Sequence, residues 1–127
     1  MTHKILLVDD SRTMREVLKV YLMGGAYDFV EADNAARALD LLRLIPVDVV
    51  IADVNMPKMD GFEFVRNVRA SELPNVRHMP IILLTGDKTQ GLRGKSVAAQ
   101  ADAFLLKPVE SDRLVEIVTQ LLSEKRA

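Results

Sequence analysis

Five short apolar runs punctuate the chain: Lys4 to Val8 (KILLV), Asp28 to Ala32 (DFVEA), Val47 to Ala52 (VDVVIA), Ile81 to Leu84 (IILL) and Ala103 to Leu106 (AFLL). Runs this short, rich in aliphatic and β-branched side chains and closed by turn formers, predict strands rather than helices. Between them the apolar residues fall at three- and four-residue spacings, the mark of helices buried along one stripe. Met14, Val17, Leu18, Tyr21 and Leu22 form the first stripe, with Thr13 and Glu16 at capping-box spacing near its start and Gly24-Gly25 at its end. Ala38, Leu39, Leu41 and Leu42 form the second behind an Asn34 cap, and it stops before Pro46. Phe62, Phe64, Val65 and Val68 form the third, which ends before a loop, SELPNVRHMP. A weaker helix is predicted over about Gln90 to Gln100. The last helix carries Leu114, Val115, Ile117, Val118, Leu121 and Leu122 behind a Ser111 cap.

Strand and helix thus alternate five times, with no internal repeat, low-complexity tract or linker. The expectation is one domain over residues 1–127, its core running from about 4 to 122. Nearly uninterrupted apolar strands joined by helices mean a parallel sheet covered on both faces. The predicted fold class is α/β: a flavodoxin-like, doubly wound, five-stranded parallel sheet of order 2-1-3-4-5 with five helices. Right-handed crossovers place every β-to-α loop at the carboxyl edge of such a sheet. Strands one and three are then neighbours at the point where strand order reverses, which is where these folds bind ligands.

Composition narrows the function. A chain of 127 residues can bury roughly two thirds of its unfolded surface. Its 17 basic and 18 acidic side chains leave a formal net charge of -1, so no basic field favours direct nucleic-acid binding. The lack of cysteine excludes disulfides and thiolate metal sites, and His3 and His78 do not make a zinc site. The apolar run Ile5 to Val8 is too short for the core of a signal peptide, and no segment reaches the length of a membrane span. A small cytoplasmic protein without membrane insertion is expected.

The opening question for chemistry is why the buried run VDVVIA runs straight into Asp53. The residues that follow the strands give the context: Asp9 and Asp10 after the first, Asp53 after the third, Thr85 after the fourth and Lys107 after the fifth. In the predicted order, three carboxylates converge in one crevice and meet a hydroxyl and an ammonium. Two carboxylates about 4 Å apart repel by on the order of 4 kcal/mol at an effective dielectric near 20, so one takes a proton or a cation sits among them. Oxygen-only ligands with open positions suit Mg²⁺, completed by a phosphate. Asp53 is then placed to attack a phosphoryl donor in line, with Lys107 and the ion neutralising phosphoryl charge and Thr85 supplying a hydroxyl. Singly, Asp-Asp-Ser after a strand reads as a turn and helix cap, and a lysine before proline as ordinary surface. The weight lies in their arrival at one sheet edge.

In order along the chain, ILLVDDS, DVNMPKMDGFEF, ILLTGD and FLLKP resemble the receiver domain of two-component response regulators, the CheY-like family. The resemblance spans about Lys4 to Leu122. It implies phosphorylation of Asp53 by a sensor histidine kinase or a phosphotransfer protein. It further implies Mg²⁺ held by Asp9, Asp10, Asp53 and the Asn55 backbone, and phosphoryl sensing by Thr85 and Lys107. By the same resemblance Phe104 is the switch aromatic, Asn55 and Asp87 tune dephosphorylation as a fast-resetting pair, and the peptide before Pro108 is cis. The downstream protein target is expected on the face made by the fourth predicted helix, the fifth strand and the last helix. Such a domain is not an enzyme, since it promotes only its own phosphorylation and dephosphorylation.

The sequence departs from the pattern in three places. Gln100 stands where many members have glycine, Gly91 and Gly94 weaken the fourth predicted helix, and Phe104 has no hydroxyl, so packing alone sets its rotamer. Rival readings differ in class. TQGLRGKS, residues 89–96, ends like a phosphate-binding loop but opens on Thr89 and follows no strand directly. An aspartyl-phosphate hydrolase lacks its acid where Asn55 stands. A receiver-shaped module that binds partners without phosphorylation remains an alternative, as does a fragment of a longer regulator, since the chain ends a few residues past its last helix. SRTMRE after the acid pair is similar to chemotaxis-type members and favours a freestanding receiver. A monomer is expected, with a dimer as the alternative.

Overall fold

The computed structural model describes residues 2–86 and 100–126. Its strands are β1 (His3–Val8), β2 (Tyr27–Ala32), β3 (Val49–Asp53), β4 (Ile81–Thr85) and β5 (Ala103–Leu106). All pair in parallel in the order β2-β1-β3-β4-β5, as the apolar runs predict. The helices among the described residues are α1 (Arg12–Tyr21), α2 (Ala35–Leu44), α3 (Gly61–Arg69), α4 (Pro74–Arg77) and α5 (Ser111–Arg126).

The sheet's period of two divides the core into two layers. Leu6, Val8, Val50, Ala52, Ile81 and Leu83 face α2 and α3, meeting Ala38, Leu41, Phe64, Val65 and Val68. Ile5, Leu7, Val49, Ile51, Ile82 and Leu84 face the other way, onto Leu18 of α1 and Leu114, Ile117 and Val118 of α5. β1, β3 and β4 are buried on both faces, which is why they read as continuous apolar runs.

Several local expectations shift. Asn34 caps α2 as predicted, accepting from the Arg37 amide at 2.8 Å. The cap of α1, however, is Ser11, which accepts from Met14 N at 3.1 Å. Thr13 lies inside that helix, and Glu16 pairs with Lys19 instead of closing a capping box. Ser111 is the first residue of α5 rather than its cap, and the Leu114 amide reaches the Glu110 carbonyl. Within SELPNVRHMP, Pro74 starts the single helical turn α4, its fixed φ suiting a first helical position. The predicted helix from Gln90, with Asp87, Gly91, Gly94 and the stretch TQGLRGKS, lies outside the described residues. Gln100 itself is a turn residue with φ of 69°, in the left-handed region that glycine occupies without steric cost.

Candidate phosphoacceptor and cation site

Strand register builds the crevice. Val8 pairs with Ala52, so the next residues, Asp9 and Asp53, emerge side by side at the carboxyl edge. Asp53 pairs with Leu84, and its successor Val54 donates to the Leu84 carbonyl at 2.8 Å. Thr85 pairs with Leu106, and the Lys107 amide donates to the Thr85 carbonyl at 2.7 Å. Asp53 and Thr85 prove to be the last residues of their strands rather than the first beyond them. The side chains therefore start from hydrogen-bonded backbone, which fixes their origin as a flexible loop would not.

Asp9, Asp53 and Thr85 are the buried polar side chains of the described core. Lys107 reaches in over them, with Nζ 3.3 Å from Asp53 Oδ1 and 3.8 Å from Asp9 Oδ2. The Asn55 amide donates to Asp53 Oδ1 at 3.3 Å, and its side-chain Nδ2 lies 3.4 Å from Thr85 Oγ1. Asn55 thus touches both the proposed acceptor and the hydroxyl. Phe104 is half-buried against the α2–α3 layer and pairs with Leu83, two residues before Thr85 on the same face of the sheet. The Lys107–Pro108 peptide is cis.

Asp10 is exposed at the crevice mouth, yet one oxygen each from Asp9, Asp10 and Asp53 lie within 4.8 Å of one another. At an effective dielectric near 20, each pair at that separation repels by about 3.5 kcal/mol. Among the described residues, the ammonium of Lys107 is the cation paired with these acids, and it cannot neutralise three carboxylates. Asp9 shows the consequence. Burial lifts its carboxyl above the ordinary range; the Ser11 amide pulls it down, the Asp53 charge pushes it up, Lys107 pulls down and Asp10 pushes up. Its Oδ1 accepts from the Ser11 amide at 2.8 Å, while its buried Oδ2 accepts no hydrogen bond among the described residues. A buried, crowded carboxylate oxygen without a donor costs stability unless something positive completes it. The donor set is all oxygen, which fits a hard divalent cation such as Mg²⁺.

Sequence reasoning missed Arg15. Its Nη1 donates to the main-chain carbonyl of Asp9, and its Nε reaches Glu31 Oε1 at 2.9 Å. A legible signal existed: Arg15 and Lys19 lie four residues apart on one side of α1, and of the two acids in β2, Glu31 lies near its carboxyl end. Glu31 is held below the usual carboxylate range, first by the hydrogen bond from Lys19, against burial, and then by Arg15.

A family model for the response regulator receiver domain matches residues 5–119. Chemotaxis protein CheY-3 of Vibrio cholerae is 33% identical over 114 residues, covering 89% of this chain and 86% of that protein. Response regulator protein FleR of Pseudomonas aeruginosa is 34% identical over 120 residues, covering 94% of this chain but 24% of its own length. The chain therefore spans about a quarter of one relative and most of the other. The crystallised chemotaxis protein CheY4 of Vibrio cholerae superposes with a TM-score of 0.85 at 31% identity, over 95% of this chain and 99% of that one. Since the match takes in all five strands and both sides of the acid crevice, the chain belongs to the response regulator receiver domain family, as a CheY-like receiver of two-component signalling.

Proposed function

We propose that Asp53 accepts a phosphoryl group from the phosphohistidine of a sensor histidine kinase or phosphotransfer protein, in the cytoplasm. The observation that carries this reading is the set of three carboxylates within 4.8 Å beneath one ammonium. Lys107 and the Asn55 amide hold Asp53 Oδ1, so the other oxygen supplies the attacking pair. An O–P bond forms, the N–P bond breaks, and the imidazole nitrogen leaves with the electrons of that bond. Asp9, Asp10, Asp53 and the Asn55 backbone would hold Mg²⁺, which supplies charge neutralisation at the phosphoryl oxygens. Lys107 offers a second positive charge from the opposite side.

The signal then passes to the outer face. Thr85 turns its hydroxyl to the phosphoryl group, at the expense of its contact with Asn55, and Phe104 moves into the space vacated. A hydrogen bond to a charged acceptor contributes about 1.5–3 kcal/mol, enough to shift a two-state equilibrium roughly 10- to 150-fold. The target-facing surface is expected at β5 and α5, where Leu106 is exposed beside a groove of about 280 Å³ lined by Pro108, Val109 and Arg113. Asn55 and Asp87 are proposed to admit the hydrolytic water that ends the signal. In this reading the domain promotes only its own phosphorylation and its loss.

The test is acetyl phosphate with Mg²⁺, followed by intact mass. Wild type should gain one phosphoryl group, Asp53→Asn none, and Thr85→Ala should be labelled while the amide shifts around Phe104 stay put. Equal labelling of Asp53→Asn would sink the assignment.

A further inference from the structure

We propose that Arg15 is the positioning residue of the acid pair, setting the angle between Asp9 and Asp10 through the peptide that joins them. The inference rests on the phosphoacceptor reading above and adds a residue to it. β1 ends at Val8, and the Asp9 amide is held by the Ala32 carbonyl at 3.1 Å. The Asp9 carbonyl, beyond the last β1–β3 pair, accepts from Arg15 Nη1. That carbonyl is part of the Asp9–Asp10 peptide. Rotating it changes ψ of Asp9 and φ of Asp10 together, and so redirects the exposed Asp10 carboxylate relative to the buried pair.

The guanidinium is well suited to hold that plane, because its donors form a rigid fork. One prong is on the carbonyl and another is on Glu31 Oε1 at 2.9 Å, with the side chain only 13% exposed. Glu31 is itself fixed from its other oxygen by Lys19 Nζ at 2.7 Å, and Lys19 also reaches Glu16 at 3.1 Å. The acid pair is thereby tied to the edge strand β2 and to the exposed side of α1.

A second effect of Arg15 has the opposite sign, which makes the idea testable. As a nearby positive charge, Arg15 disfavours a cation in the crevice. If charge were its only influence, removing it would tighten Mg²⁺ binding. If positioning dominates, removal weakens binding, and a lysine that keeps the charge but lacks the fork does not restore it. Loss of a supporting contact to a metal ligand typically weakens metal affinity by about 10- to 100-fold. About 10-fold is expected here, since the contact is with backbone.

The experiment is a titration of the whole chain with Mg²⁺ alone, read from the amide shifts of Asp10 and Asp53 in wild type, Arg15→Met, Arg15→Lys and Glu31→Gln. Amide spectra away from the crevice establish that each variant is folded. Both Arg15 variants should bind about 10-fold more weakly and Glu31→Gln should fall between. Labelling by acetyl phosphate should recover toward the wild-type rate at saturating Mg²⁺, a shift in the metal requirement rather than in the maximal rate. Unchanged or tighter binding in either Arg15 variant overturns the proposal. Should Arg15→Met fail to fold, Arg15→Lys and Glu31→Gln still decide it. Normal labelling with equal affinities would sink only the role of Arg15, whereas wild type left unlabelled at Asp53 would sink the phosphoacceptor reading without affecting the Mg²⁺ comparison.

Discussion

Gly61 offers a way to perturb the crevice without touching a charged group. It opens α3, its amide donates to the Val54 carbonyl at 2.9 Å, and its bare Cα lies against the end of β3. A Cβ there would sit 2.7 Å from the Asp53 carbonyl oxygen, 2.8 Å from Val54 Cα and 3.1 Å from Leu83 Cδ2. The first two are backbone atoms, so no rotamer change relieves the contact. Either α3 withdraws or the Asp53–Val54 peptide shifts. Overpacking of this kind costs about 1–3 kcal/mol, offset by the roughly 0.4–1 kcal/mol that a glycine-to-alanine change gains through the unfolded chain. Gly61→Ala should therefore lose about 1–2 kcal/mol. Gly24→Ala is the matched control, because a Cβ at Gly24 meets nothing within 4 Å; it should be neutral or slightly stabilising. Urea unfolding followed by circular dichroism reads the difference. With a slope of about 1–3 kcal/mol/M, the two midpoints should separate by about 1 M. Displacing the acceptor should also slow labelling of Asp53 by about 10-fold, in line with the sensitivity of reacting geometry to sub-ångström shifts. Equal midpoints for the two alanine variants would refute the argument that α3 is seated on the Asp53 peptide.

Two further outcomes follow from charged side chains outside the acid crevice. Arg69 donates to the carbonyls of Met79 at 2.7 Å, Arg77 at 3.0 Å and Gln100 at 3.0 Å, and to Asp102 Oδ2 at 2.9 Å; Arg69→Met should cost about 2–4 kcal/mol in urea unfolding through acceptors left unpaired, and Arg69→Lys should recover less than half, lacking the fork. The Glu31 carboxyl is held below the ordinary glutamate range, with the Lys19 hydrogen bond the largest cause and Arg15 contributing, so its stabilisation is present above the ordinary value and lost as pH falls through the lower, folded one. Wild type should exceed Glu31→Gln in stability at pH 7, and the gap should close in acid; a gap unchanged between pH 7 and pH 3 would contradict the ion-pair account.

The sheet is legible because burial on two faces leaves short, continuous apolar runs, and their length and flanking turn formers separate them from buried helix. VVIA and IILL sit where both neighbours are strands and both faces carry helices, so every position is apolar. The edges were less legible. β2 begins at Tyr27, and its polar Asp28 and Glu31 are exposed on this edge strand, which blurs where pairing starts. The α1 cap is ambiguous in the sequence because Ser11 and Thr13 both precede the apolar stripe; the backbone decides between them, since Ser11 has the extended conformation of a cap, with φ of -91° and ψ of 112°, and Thr13 lies within the helix. The turn at Pro74–Arg77 carries a single buried side chain, Val76, too little periodicity to register as a helix.

Of the site, the sequence discloses what strand order dictates and hides what side-chain reach dictates. Asp9, Asp53, Thr85 and Lys107 are legible because each lies at or just past a strand end, and register leaves them nowhere to go but the same crevice. Arg15 and Arg69 are different: each has a long side chain on a helix, and their acceptors are mostly carbonyls, which every residue has. A carbonyl has no letter in the sequence, so its partner cannot be paired by inspection. Yet these are the groups that hold the legible ones in place. Asp9 shows the division within one residue: its carboxylate is visible as half of an acid pair, whereas its carbonyl, gripped by Arg15, fixes where that pair points. Exchanging the acids should remove the chemistry, while exchanging the arginine should leave every chemical group present and alter only how tightly a cation is held.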